Sequence, residues 1–265
     1  MKMCSKLNSK YIRRLKASPA LNTKELRQVH HRERLIMKGI TRHYKKAHVA
    51  LIGAGGLGGN IGLGLVRKGI GKSSFYDGDI VVASNLGRQR YNVNDLGKPK
   101  AFQLVKNLVR EAIVRSELVG IKLYFEEALA EGLVELPDVF VCCPDNDEVR
   151  EFTARFGLKF GIPVVTTGLG TDADYGYVHI YDGNSNGSCW SCLKKGNYGA
   201  KSCGAVPSNI NLVLTISGLV LSALDSIICK TPLPWNYRRI SLSGNLPEIS
   251  TVVPVWSDCP VCYVK

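Results

Sequence analysis

HVALIGAGGLGGNIGLGLVRKGIGKSSFYD, residues 48–77, sets out in order a short apolar run, a glycine cluster, a helix-like segment and a second short run that ends in an acid. HVALI reads as a buried strand, since the run stays apolar up to the glycines. LGGNIGLGLVRKG reads as a helix rich in small residues at its start, and SSFYD as the next strand. GAGGLG, residues 53–58, satisfies G-x-G-x-x-G between that strand and that helix. Gly53, Gly55, Gly56 and Gly58 allow the backbone to approach a phosphate, and the first amides of the helix point at its charge. Asp77 lies 19 residues past Gly58, at the end of the second strand, where its carboxylate can accept hydrogen bonds from ribose hydroxyls. The set reads as a nucleotide-binding unit, with a glycine-rich packing turn as the alternative. GIGKS, residues 69–73, resembles the end of a P-loop, but Val66 stands where the first glycine belongs and the segment runs from helix into strand.

Downstream, AFQLVKNLVREAIVR has helical spacing, IKLYFEEAL reads as a third strand and DVFVCCPD as a fourth. EVREFTARFGLKFG reads as a helix and IPVVTTG as a fifth strand. Strands alternating with helices predict an α/β fold, a doubly wound Rossmann-like sheet that is mostly parallel. After about residue 170 the texture changes. YGYVHIYD alternates, an apolar helix follows at 210–229, and RRISLSG and EISTVVPVW close the chain as an antiparallel extension.

At 265 residues the chain can bury one sizeable core. An apolar fraction of 45% and a charged fraction of 22% suit a soluble globular protein. The N-terminus MKMCSKLNSKYIRR shows no apolar run of a signal peptide, which points to the cytoplasm. INLVLTISGLVLSALDSIIC, residues 210–229, contains Asn211 and Asp225 and reads as a buried core helix, not a membrane span. Charge is uneven. Residues 1–47 hold 14 Lys or Arg against 2 acids, whereas the other 218 hold 21 against 20. The division is therefore a basic arm, 1–47, and a main domain, 48–265. Asn22 and Glu25 fit a capping box, so the arm is expected to be helical. It can meet an acidic protein or a nucleotide, with nucleic acid less favoured, or serve only as a solvated helical arm kept soluble by its charge.

SNLGRQRYNVNDLGKPK, residues 84–100, gathers Asn85, Arg88, Gln89 and Lys100 just after Asp77. A NAD-linked oxidoreductase has little use for so many phosphate-directed donors, whereas splitting a phosphoanhydride does. Asp145 follows the fourth strand and suits a Mg²⁺ ligand, or alternatively a helix N-cap. Two C-x-x-C pairs, Cys189 with Cys192 and Cys259 with Cys262, make a four-thiolate set that Zn²⁺ accepts in structural sites. Cys203 stands apart from them in a Gly/Ser/Lys-rich stretch beside Lys201, whose ammonium favours thiolate.

GAGGLG, Asp77, NLGRQ, GKPK, PDN followed by Arg150, and the two C-x-x-C pairs occur in the order found in the ThiF/MoeB/ubiquitin-activating-enzyme superfamily, which the chain resembles from about residue 30 onward. The resemblance implies adenylation of the C-terminal glycine of a ubiquitin-fold or sulfur-carrier protein with Mg-ATP, releasing pyrophosphate. It implies that Gly53–Gly58 and Asp77 bind the nucleotide, that Arg88, Gln89 and Lys100 contact phosphates, and that Asp145 ligates Mg²⁺. It further implies a homodimer in which an arginine reaches the partner's ATP. HHRERLIMKGI, residues 30–40, departs here, with Glu33 in place of the second arginine and Arg34 one residue on. Some members form a thioester or persulfide on a cysteine before a similar apolar helix, which makes Cys203 the candidate nucleophile. With the second cysteine pair at the end of the sequence, the expectation is that product passes to a separate conjugating or sulfur-transfer protein. Adenylation of a peptide or a tRNA base, and a zinc-stapled module without turnover, are the alternatives.

Overall fold

The computed structural model describes residues 10–19, 21–170, 173–183, 187–196 and 207–262. The chain divides into two compact units, one ending at Pro137 and the other starting at Asp138.

In the first unit four strands lie in the order β1-β4-β3-β2: β1 (Ile12–Ala17), β2 (His48–Ile52), β3 (Lys72–Tyr76) and β4 (Ser116–Ile121). β2, β3 and β4 are parallel, with Leu51 beside Phe75 and Phe75 beside Gly120. The run HVALI is buried throughout, as an interior parallel strand requires. Three short helices precede β2: α1 (Thr23–Gln28), α2 (His31–Ile36) and α3 (Ile40–Lys46). α4 (Gly56–Arg67) joins β2 to β3, α5 (Lys100–Leu108) precedes β4, and α6 (Phe125–Ala130) follows it. Gly62 is where α4 meets the sheet. A Cβ there would stand 2.8 Å from Phe75 Cε1 and 2.9 Å from Leu108 Cδ1.

Three expectations are corrected. The arm is not wholly helical, since residues 12–17 form β1, antiparallel to β4. Arg14 and Lys16 face out while Leu15 and Ala17 turn inward, a period of two that the charges mask. The capping box of Asn22 and Glu25 does form, but the helix it starts ends at Gln28, and His30 at φ 62° and Gly39 at φ 81° break the segment. The third strand is SELVGI, not IKLYFEEAL. FEEALA is α6, whose Glu127 side chain accepts from the Tyr124 amide at 3.0 Å, as an acid in a first helical turn can.

The second unit contains β5 (Val139–Cys142), β6 (Val164–Leu169), β7 (Tyr175–Tyr181), β8 (Tyr237–Ser241) and β9 (Ile249–Thr251), in that order in its sheet. β5 and β6 are parallel, and the pairs from β6 to β9 are antiparallel. Within the units, the parallel pairs join β2, β3 and β4, and β5 with β6. The described helices here are α7 (Asp147–Phe160), α8 (Trp190–Lys195) and α9 (Ile210–Cys229). α9 is the one described helix long and apolar enough to cross a membrane, and 44% of its apolar window is buried. Its Leu212, Val213, Ile216, Val220 and Leu224 are buried, and it packs on β6 and β7. Gly176 permits the approach, because a Cβ there would lie 2.4 Å from Ile216 Cγ1. That is the packing expected of a core helix.

His179, on β7, is wholly buried. Its Nε2 lies 3.2 Å from Ser188 Oγ, which also accepts from Asn236 Nδ2 at 3.0 Å. Burial, partly offset by Ser188, pushes the imidazole down to about 3, so it is neutral when folded. An unfolded histidine binds its proton near pH 6.5, so stability is lost as pH falls below that value. Between pH 7 and pH 5 urea unfolding should show a drop about 2 kcal/mol larger for the native protein than for His179→Gln. Equal drops would refute the neutral buried imidazole.

Candidate functional site

The glycine cluster lies at the carboxyl end of β2. Gly53 takes φ +100°, a conformation that side chains resist, and its amide donates to Tyr76 O at 2.9 Å. The Gly59 amide is the first of α4 to find a carbonyl behind it, on Gly55. The amides of Gly56, Leu57 and Gly58 precede it, and such first-turn groups have no intrahelical acceptor. Asp77 fixes this loop. Its Oδ2 accepts from the Ala54 amide at 2.7 Å and its Oδ1 from the Asp79 amide at 2.9 Å. The sequence reading gave this carboxylate to ribose hydroxyls. Here each oxygen also serves the backbone and keeps a second lone pair. Burial raises the Asp77 carboxyl above its ordinary range, against the Lys100 ammonium and the two amides.

The turn after Asp77 brings the expected donors to the same unit. Asn85 is buried, and its Oδ1 accepts from the Val82 amide at 3.0 Å, so it shapes the turn. Its carbonyl accepts from the amides of Arg88 and Gln89 at 3.3 and 3.0 Å. Arg88 Nη1 donates to Ser84 O at 2.7 Å. Gln89 stands over the loop, since a Cβ on Gly55 would come within 3.9 Å of its Nε2. Gln89 Oε1 is buried without a protein donor among the described residues. An orphaned acceptor beside a glycine cradle fits a polar ligand there. Lys100 is buried and donates to Asp79 Oδ2 at 2.7 Å.

Four residues escaped the sequence reading. Asn60 Nδ2 donates to Gly56 O at 2.8 Å and Arg88 O at 3.3 Å, tying helix to turn. Tyr91 Oη reaches Ala54 O at 2.7 Å and Lys100 O at 3.2 Å. Asp79 holds Lys100, and Tyr124 Oη donates to Asp79 Oδ1 at 2.6 Å. The doubled acid of Asp77-Gly78-Asp79 was the one available signal. Arg34, on α2, donates Nη2 to Arg27 O, and the neighbouring Glu33 is taken by His30 Nδ1.

In the second unit Asp145 is exposed beyond β5. The helix cap considered for it belongs to Asn146, whose Oδ1 accepts from the Glu148 amide at 2.7 Å. Arg150 holds the same loop, donating to Pro144 O at 2.7 Å and Asp147 Oδ1 at 2.8 Å, with its guanidinium 4.9 Å from the Trp190 ring centre.

Cys189, Cys192, Cys259 and Cys262 are buried with their sulfurs all within 4.8 Å of one another. The closest pairs, Cys189–Cys259 and Cys192–Cys262, are 3.4 Å apart. Metal–sulfur bonds of about 2.3 Å in a tetrahedron put sulfurs about 3.8 Å apart, so the set can hold zinc. Burial pushes the Cys189 thiol up to about 12 and raises Cys262 as well. Burial also raises Cys259, but hydrogen bonds from the amides of Cys262 and Val261 and contacts with the Cys189 and Cys262 sulfurs together bring that thiol down to about 7. Cys203 and Cys4 lie outside the described residues.

The chain is 31% identical over 162 residues to a sulfur carrier protein adenylyltransferase of Thermus thermophilus, covering 56% of each chain. It is 32% identical over 183 residues to the adenylyltransferase and sulfurtransferase UBA4 of Candida glabrata, covering 65% of this chain and 41% of that one. An ATP-dependent ubiquitin transferase-like protein, Cap2 of Escherichia coli, is 25% identical over 247 residues, covering 81% of this chain and 40% of its own. The chain thus spans about half the length of these curated relatives. Among solved structures, E. coli MccB with MccA-N7isoASN has the same fold at a TM-score of 0.75 and 19% identity, covering 92% of this chain and 76% of that one. The ThiF family matches residues 27–249, a span that takes in the glycine loop, the donor turn and the first cysteine pair, and the chain belongs to that family.

Proposed function

We propose that this protein is an ATP-dependent adenylyltransferase acting on the C-terminal glycine of a ubiquitin-fold or sulfur-carrier protein. The observation that carries the reading is the glycine loop clamped by Asp77, with Arg88, Gln89 and Lys100 gathered in the same unit. The relatives named as adenylyltransferases support it. The carrier carboxylate attacks the α-phosphate of ATP and pyrophosphate leaves. The first amides of α4 and the Gln89 side chain bind the nucleotide, and Asp77 holds the loop that presents those amides. Arg88 and Lys100 offset charge that builds on phosphate oxygens. Asp145 is proposed as the magnesium ligand, and Arg34 as the group that reaches the other subunit's nucleotide in a homodimer; both roles rest on the family resemblance. Cys203 is proposed to attack the acyl-adenylate as thiolate, forming a thioester and releasing AMP, before a separate conjugating or sulfur-transfer protein accepts the acyl group. The four cysteines are proposed to bind structural zinc, as thiols stay reduced in the cytoplasm.

A second reading, adenylation of a short peptide, draws on the likeness to MccB, which has been crystallised with MccA. Pyrophosphate exchange separates the two. Exchange should require a ubiquitin-fold partner with a free C-terminal glycine, and isolated tail peptides should not replace it. Arg88→Ala should lower the exchange rate by about a hundredfold. An unchanged rate would remove Arg88 from the chemistry.

Metal analysis of the purified protein should find about one zinc per chain. Cys259→Ser should reduce that content and lower the urea midpoint. Full retention of zinc in this variant would refute the four-cysteine site.

A further inference from the structure

Lys100 is fixed at both ends. Its amide donates to Asp79 O at 2.8 Å, and its carbonyl shares the Tyr91 hydroxyl with Ala54 of the glycine loop. The Lys100 backbone is thereby held beside the loop, and its ammonium is near enough to act on the Asp77 carboxylate that clamps it. Its ammonium is spent elsewhere, on Asp79 Oδ2 at 2.7 Å. The two partners differ in exposure, with the Lys100 side chain 10% exposed and that of Asp79 48%. A buried ammonium without an anionic partner is costly, whereas a half-exposed carboxylate is readily solvated again. Tyr124 keeps the carboxylate in place by donating to Asp79 Oδ1 at 2.6 Å. The Tyr124 ring lies against Gly78, where a Cβ would come within 2.9 Å of it. Asp79 is thus tied back by a group that does not depend on Lys100.

From this asymmetry we infer that Asp79, tied back by Tyr124, is a latch that occupies Lys100 in the ligand-free protein and yields it to phosphate oxygens. The inference rests on the proposed nucleotide site. Asp79 touches no reacting atom in this scheme and acts only through Lys100. Nucleotide binding exchanges one anionic partner of the ammonium for another, and the Tyr124 hydroxyl and water remain with Asp79. The latch lowers affinity for ATP, because binding must break an existing charge-assisted hydrogen bond. It also keeps the ammonium paired before the ligand arrives.

The test is a binding cycle on the full chain, with ATP affinity measured by equilibrium dialysis for the native protein, Asp79→Asn, Lys100→Met and the double variant. Asp79→Asn should tighten binding by on the order of tenfold, the scale of one charge-assisted hydrogen bond. That gain should vanish in the Lys100→Met background, which separates the latch from simple repulsion between Asp79 and phosphate. Asp79→Ser is the second variant if Asp79→Asn does not fold, with the same result expected. Unchanged or weaker binding, or an equal gain without Lys100, overturns the latch. If the native protein binds no ATP, the nucleotide reading itself fails and the latch with it.

Discussion

The first unit depends on one carboxylate. Asp77 leaves the end of β3 and accepts the amide of Ala54 at the end of β2 and that of Asp79 in the following turn. Two adjacent strand ends and the loop between strand and helix are joined through a single side chain. The Gly53 backbone is held from the other side by Tyr76 O. Nothing in the loop has a side chain large enough to enforce its shape, so the enforcement comes from outside it. Tyr91 and Asn60 complete the frame by reaching Ala54 O and Gly56 O. The helix start is therefore rigid where a phosphate would meet it, as electrostatic preorganisation requires.

The second unit is organised by sulfur and aromatic rings. Tyr177 lies between Trp190 and Tyr237, with centroid separations of 6.1 Å to each. Trp190 opens α8, the short helix that starts after Cys189 and includes Cys192, and its ring carries the Arg150 guanidinium. Arg150 in turn holds the carbonyl of Pro144, next to Asp145. The cysteine cluster is thus linked to the acidic loop through two side chains, and its influence extends past the four sulfurs.

The sequence disclosed these two centres unevenly, for physical reasons. The glycine loop, Asp77 and the cysteine pairs are local patterns, because backbone approach and thiolate ligation need fixed short spacings. β2, β3, β5 and β6 show as short runs and β7 by its alternation, whereas β4 is masked by IKLYF, where bulky residues imitate a strand and Glu126 and Glu127 favour a helix start. β1 was hidden because its alternation is written in arginine and lysine. Tyr91, Asp79 and Tyr124 act on partners 37, 21 and 45 positions away, and no window along the chain brings such residues together. Arg88 and Lys100 were found by type, but their present partners, Ser84 O and Asp79, could be known only from the fold.

β1 has one more consequence. It covers the open side of β4 along its whole length, from Ile12 beside Ile121 to Ala17 beside Ser116. Its outward face carries Arg14 and Lys16, while Arg13 lies over the Phe102 ring at 4.9 Å. Charged residues on a terminal strand discourage other chains from adding to the sheet. Proteolytic loss of these few residues would uncover a row of unpaired amides and carbonyls on SELVGI, an apolar template open to self-association. The basic N-terminal segment thus closes a sheet edge that other chains could otherwise extend.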